Sequence, residues 1–227
     1  MHSKPATLKT PTLPSLGTDT YLLDTDGSTT GPLQALVLDH LLMNDGTAYW
    51  VDAAGHARTD TLARIAPSRR LLDRIQVARG FTAYQHAALI DRITEQITPE
   101  TALVIAPAID IMYRDDDDSY GVDTAELLRT AVETLTNRCR EYDIPLVVTC
   151  HRRDALSAPV AHHVNETIQC ETTRFGPRFV GDCFETLVYP IEDGFVQTTL
   201  TFWEHVLDRR ATVTSPGQPE VTVRGSN

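Results

Sequence analysis

Lysine is almost missing from this chain. Lys4 and Lys9 are the only two, so nearly all of the 20 basic residues are arginines. Cysteine is scarce as well. Cys139, Cys150, Cys170 and Cys183 lie far apart and form no C-x-x-C pair, which speaks against a zinc or disulfide framework and for reduced thiols. No stretch approaches the roughly 20 consecutive apolar residues that a membrane-spanning helix needs. The opening, MHSKPATLKT, holds no apolar block that could serve as a signal peptide. On both counts the expectation is a cytoplasmic protein with no membrane partner.

What is present is a hydrophobic fraction of 41% in 227 residues, enough to bury a sizeable core in one domain. Net charge is −11, and aspartate outnumbers glutamate by 20 to 11. This Asp-rich, Lys-poor balance resembles that of halophilic proteins from a salt-loaded cytoplasm, such as the haloarchaeal one. An acidic surface ordinarily argues against nucleic acid. In molar salt that argument weakens, because the screening length falls to about 3 Å.

Residues 1–15 and 208–227 read as flexible tails. Between them, residues 16–207 read as one domain in which strands and helices alternate. Strands are expected at 20–23, 47–53, 74–80, 101–109 and 144–150, and helices at 33–43, 59–66, 83–97 and 123–143. Ala87, Leu89, Ile90, Ile93 and Ile97 recur at helical spacing, as do Leu127, Leu128, Ala131, Val132 and Leu135. Asp60 is placed to cap the helix at 59–66. The apolar runs at 101–109 and 144–150 suit strands buried on both faces. Residues 151–178 read as irregular. Beyond them, 183–191 and 195–206 alternate in polarity around Glu192-Asp193-Gly194, a hairpin signal. The expected fold class is α/β: a mostly parallel sheet flanked by helices, with a C-terminal antiparallel hairpin.

One turn stands where phosphate is held in nucleotide-binding α/β proteins. It reads DTDGSTTGPL (24–33), between a strand and a helix, and it has two aspartates and no lysine. Three further stretches fix its context: AYWVDAAG (48–55), IQVARGFTAYQHAALI (75–90), and 102–150, a buried strand, a loop, a long helix and a second buried strand. In this order the pieces resemble the core of the RecA/RadA recombinase superfamily, particularly its short archaeal RadA paralogues, over about residues 16–207. The resemblance implies a RecA-like P-loop fold.

An active phosphate loop reads G-x-x-x-x-G-K-[ST], in which backbone N–H groups cradle the phosphates, the lysine bridges them and the hydroxyl holds Mg²⁺. Aligning Gly31 to the second glycine puts Asp26 at the first, with Gly27, Ser28, Thr29 and Thr30 between. Pro32 then replaces the lysine and Leu33 the hydroxyl. The superfamily's catalytic glutamate falls on Ala54, its metal-orienting aspartate on Ala106, and its polar sensor on His151. The resemblance therefore implies a degenerate ATPase with no catalytic residue, no metal and no required cofactor. Gly27 to Gly31 could still offer backbone donors to ATP at a helix N-terminus.

Asp115, Asp116, Asp117 and Asp118 read as a solvated acidic loop rather than a metal cluster. They fall where DNA-handling relatives have their first DNA-binding loop, and the acid speaks against DNA contact there. Residues 151–178 correspond to the second such loop. Arg152, Arg153, Arg174, Phe175 and Arg178 are its candidates for DNA or partner contact, by phosphate pairing and base stacking; ordinary surface arginines are the alternative. His162-His163 lacks further metal ligands, and Cys150 with His151 forms no dyad if both lie on a strand. Trp50 and Trp203 read as core or interface. The resemblance implies an accessory or regulatory factor in homologous recombination or DNA repair that binds a RadA-type partner, with DNA as a second candidate. Two alternatives stay open. One is a regulator of the circadian-clock or gas-vesicle type in the same superfamily. The other is an ATPase with an unorthodox site, drawing charge from Arg152, Arg153 or Arg174 and polarising water with His151.

Overall fold

The computed structural model describes residues 13–53, 55–114, 123–173, 176–182, 184–186 and 199–214. They form an α/β fold around a 7-stranded sheet of order β3-β2-β4-β5-β1-β6-β7. The strands are β1 Thr20–Thr25, β2 Thr47–Asp52, β3 Ile75–Arg79, β4 Thr101–Ala106, β5 Leu146–Val148, β6 Glu166–Thr173 and β7 Gly176–Val180. All pairs are parallel except the antiparallel β6–β7.

Helices cover both faces. On one side α1 (Thr30–Met43), α2 (Thr59–Ile65), α3 (Arg69–Leu72) and α7 (Thr199–Thr214) enclose a core containing Leu33, Trp50, Leu62 and Trp203. On the other, α4 (Ala83–Gln96), α5 (Thr124–Glu141) and α6 (Ala158–His163) enclose Ile90, Val104, Leu135 and Val160. The two best-patterned helices are also capped. Thr82 Oγ1 accepts from Gln85 N at 3.2 Å, and Asp123 accepts from Ala125 N at 3.0 Å. Helix α1 is buried at every position from Pro32 to Leu41, because α7 lies over its outer side. That leaves Asp39 buried, where Arg210 of α7 holds it through a bond of 2.9 Å. Burial raises the Asp39 pKa against the pull of that guanidinium.

Several expectations are corrected here. The antiparallel pair is β6–β7, earlier than the expected hairpin; 183, 187–198, 215–227 and the expected turn lie outside the described residues. The second expected strand, 195–206, runs into α7 instead. Trp203, Val206, Leu207 and Arg210 recur at helical spacing and pack on α1, which outweighs a short alternation. The same helix carries the chain to Thr214, through the start of the expected C-terminal tail. Leu13, within the expected N-terminal tail, is buried against the α1 side of the core. Residues 151–178 are not irregular throughout, since α6, β6 and the start of β7 lie there. Asp60 is not a cap: Arg58 occupies the N-cap and forms an exposed ion pair with Asp60 at 3.1 Å.

Candidate functional site

The connection from β1 through α1 to β2 carries the chain past β5 and β4, whereas β5 through α6 to β6 carries it back across β1. Chains that reverse direction in this way leave a crevice at the carboxyl ends of the strands. A cleft of about 200 Å³ opens there, lined by Asp24, Thr25, Gly27 and Thr29 on one wall and by Thr149 to Arg153 on the other. It is smaller than the roughly 300–1,000 Å³ of ordinary small-molecule sites. Arg153 bridges it with an ion pair to Asp24 at 2.9 Å.

The turn that forms one wall is already tied into the protein. Asp26 accepts from Thr172 N at 3.0 Å and from Thr172 Oγ1 at 3.1 Å, binding the turn to β6. Gly27 has no left-handed φ, and a Cβ there would meet only Thr172 Oγ1 at 3.7 Å, so nothing in this geometry demands glycine. Ser28 is exposed, and Thr29 is the N-cap of α1 without a side-chain bond. Thr30 Oγ1 lies 3.4 Å from His56 Nδ1. Gly31 is half-buried, while Pro32 and Leu33 turn into the core beside the other apolar residues of α1.

Of the other matched positions, Ala54 lies outside the described residues. Ala106 is fully buried at the end of β4, accepting from Thr149 N at 3.3 Å. His151 is exposed and lines the cleft with Arg152 and Arg153. Arg174 and Phe175 lie outside the described residues, as do Asp115, Asp116, Asp117 and Asp118. Arg178 sits on β7 away from the cleft lining, held by Glu171 and by Glu185 at 2.9 Å. Trp50 and Trp203 are core residues.

Two buried aspartates organise the strand ends, and the sequence pattern did not single them out. Asp52, at the end of β2, is 0% exposed; it accepts from Arg79 Nε and from His56 N, each at 2.8 Å. Asp110, likewise 0% exposed, accepts from His151 N at 2.6 Å and Arg152 N at 3.3 Å, and pairs with Arg114. Arg114 reaches on to Asp154 at 2.7 Å and to the Arg152 carbonyl at 3.2 Å. This clasp fixes the backbone that presents His151, Arg152 and Arg153. The Arg114 hydrogen bond holds Asp154 below the usual carboxylate range. The only sequence trace of it was an aspartate four residues before an arginine on a turn.

Chemically the cleft offers little. The Cys150 thiol is pushed up to about 12, by burial first and then by Asp110, so no thiolate forms beside His151 near neutrality. Burial lowers the His56 pKa, against the attraction of Asp52. No group of three or more His, Cys, Asp or Glu among the described residues is arranged to hold a metal ion. No helix among them is long and apolar enough to cross a membrane. No protein-family model matches the chain, and no curated protein matches it either.

Proposed function

We propose that this chain is a RecA/RadA-like protein that does not hydrolyse ATP and works by binding, as an accessory or regulatory factor in homologous recombination or DNA repair. One observation carries the loss of hydrolysis. At the head of α1, the positions matched to the phosphate-bridging lysine and the Mg²⁺-holding hydroxyl are Pro32 and Leu33, both turned into the core. In their place the cleft has Asp24, with Asp26 tied to Thr172 nearby. A triphosphate entering here meets the Asp24 carboxylate and, on its own side of the cleft, no cation. The sheet order supports the superfamily, with β1 between β5 and β6 and the phosphate-loop position at its end.

The partner by this reading is a RadA-type protomer in the cytoplasm, with single-stranded DNA as a second ligand. Arg152 and Arg153 stand exposed at the cleft mouth on a backbone fixed by Asp110, and would meet phosphate there. The lysine-poor, acidic composition fits a halophilic, archaeal setting. A second reading, an ATPase with an unorthodox site, draws on the same three residues, His151, Arg152 and Arg153, lining the cleft.

Labelled single-stranded DNA titrated at rising KCl, with size-exclusion of the protein mixed with a purified RadA recombinase, tests the assignment. The expectation is a complex with RadA, and DNA binding that weakens with salt and is lost in Arg152→Glu/Arg153→Glu. Neither complex nor DNA binding would remove the recombination assignment.

A further inference from the structure

The ion pair that bridges the cleft joins its two walls through side chains alone. Among the described residues lining the cleft, Asp24 alone is acidic, and Arg152 and Arg153 are the arginines. The backbone is fixed on both sides. Asp24 lies in β1, between β5 and β6, in register with Gln169. On the other wall, Arg152 donates its N–H to Asp110 and accepts at its carbonyl from Arg114, which also holds the Asp154 carboxylate. Arg153 stands between these two anchored residues. Its side chain is 57% exposed and that of Asp24 is 38% exposed, so parting them needs only rotations about side-chain bonds.

Two comparisons decide what this contact can do. An ion pair so exposed contributes little, because water and salt screen it and both side chains lose freedom by holding it. A phosphate group is the stronger partner for a guanidinium, since its oxygens accept two parallel N–H bonds at once. Space points the same way. At about 200 Å³ the cleft falls below ordinary small-molecule sites, yet one phosphate group fits within it.

We infer that Asp24 is a built-in competitor, occupying on Arg153 the place of one phosphate group of a ligand, and that the cleft admits the phosphate by exchanging it for Asp24. The inference rests on reading the cleft as a phosphate-contacting surface, and adds what controls entry to it. No covalent bond or proton moves in the exchange. Arg153 passes from carboxylate to phosphate, Arg152 stands beside it as a second guanidinium, and Asp24 turns to solvent. The phosphate belongs to a nucleic-acid strand or to a free phosphate ion, and its chemistry at Arg153 is the same in both.

The test follows a labelled single-stranded oligonucleotide by fluorescence anisotropy as it binds the full chain, Asp24→Asn, Arg153→Gln and the double variant. Asp24→Asn should bind about fivefold more tightly, the most that releasing an exposed pair supplies. In the Arg153→Gln background the same change should gain less than about twofold. Mere removal of a negative charge would act alike in both backgrounds, because Arg152 remains in both. The gain should also shrink as KCl rises. Inorganic phosphate, titrated at constant ionic strength against the melting temperatures of the same four proteins, separates the two sources. This pattern with phosphate and no oligonucleotide binding makes a free phosphate the ligand; with the oligonucleotide, it makes the ligand nucleic acid. Equal binding by the full chain and Asp24→Asn would overturn the inference and leave the reading of the cleft standing. An equal gain in both backgrounds would overturn it as well. If none of the four proteins binds either probe, the inference falls together with the phosphate reading.

Discussion

Asp110 is the residue whose loss should be felt most widely. Its carboxylate is 0% exposed and serves His151 N, Arg152 N and the Arg114 guanidinium together. Removing one partner of a buried ion pair costs about 3–5 kcal/mol, because the survivor stays desolvated. In Asp110→Asn the survivor, Arg114, keeps Asp154 at 2.7 Å, so the lower end applies: about 3 kcal/mol. Arg114→Met leaves the wholly buried carboxylate with backbone amides alone, and about 4 kcal/mol is expected. The double variant Asp110→Asn/Arg114→Met should fall short of the sum by about 1–3 kcal/mol, because both single changes break the same contact. Urea denaturation measures all three, with equal slopes confirming that the states compared are the same. For a chain of this size the Asp110→Asn loss amounts to a melting temperature about 6–12 °C lower. A variant within about 0.5 kcal/mol of the parent, or strict additivity in the double, would refute the clasp.

Other consequences follow from single residues. His86 is wholly buried, and burial lowers its pKa to about 4 against 6.5 in the open chain. Below 6.5 the unfolded chain therefore takes up a proton that the folded one refuses, so this contribution is complete above 6.5 and lost as pH falls towards 4. About 2 kcal/mol should be gone by pH 5, with His40 and His56 shifted in the same direction. Urea unfolding across that range checks this, and a slope unchanged in His86→Gln would refute it. Gly46 has φ +108°, and a Cβ there would lie 2.2 Å from the Glu100 carbonyl oxygen. Gly46→Ala should thus cost about 3 kcal/mol or more by the same assay. Asp24→Asn breaks an exposed pair with Arg153 and should change stability by less than about 1 kcal/mol; a larger loss would mean that the pair holds the cleft together. Asp26→Ala, which frees Thr172 N and Oγ1, should cost about 1–2 kcal/mol.

The parallel sheet was legible because β4 and β5 lie in long apolar runs, and α4 and α5 because their stripes are regular. Helix α7 was not. Its apolar residues are few, and the surface that selects among them belongs to α1, far away in sequence. Leu13 was misread for the same reason: its burial depends on a core assembled from the rest of the chain. The site was legible at the strand-to-helix turn, a local signal. Asp52 and Asp110 were not, since their partners lie up to 42 residues away and two of Asp110's are backbone amides that no residue type announces.

The central claim is that the turn at the head of α1 no longer supports hydrolysis. Titration of the protein with ATP and Mg²⁺ in high KCl, following melting temperature and phosphate release together, tests it most directly, because a ligand held only by the folded state must raise the melting temperature. The account predicts no phosphate above the protein-free background, whether or not the melting temperature moves. Phosphate released in proportion to protein, and lost in His151→Ala or Arg152→Ala, would contradict it.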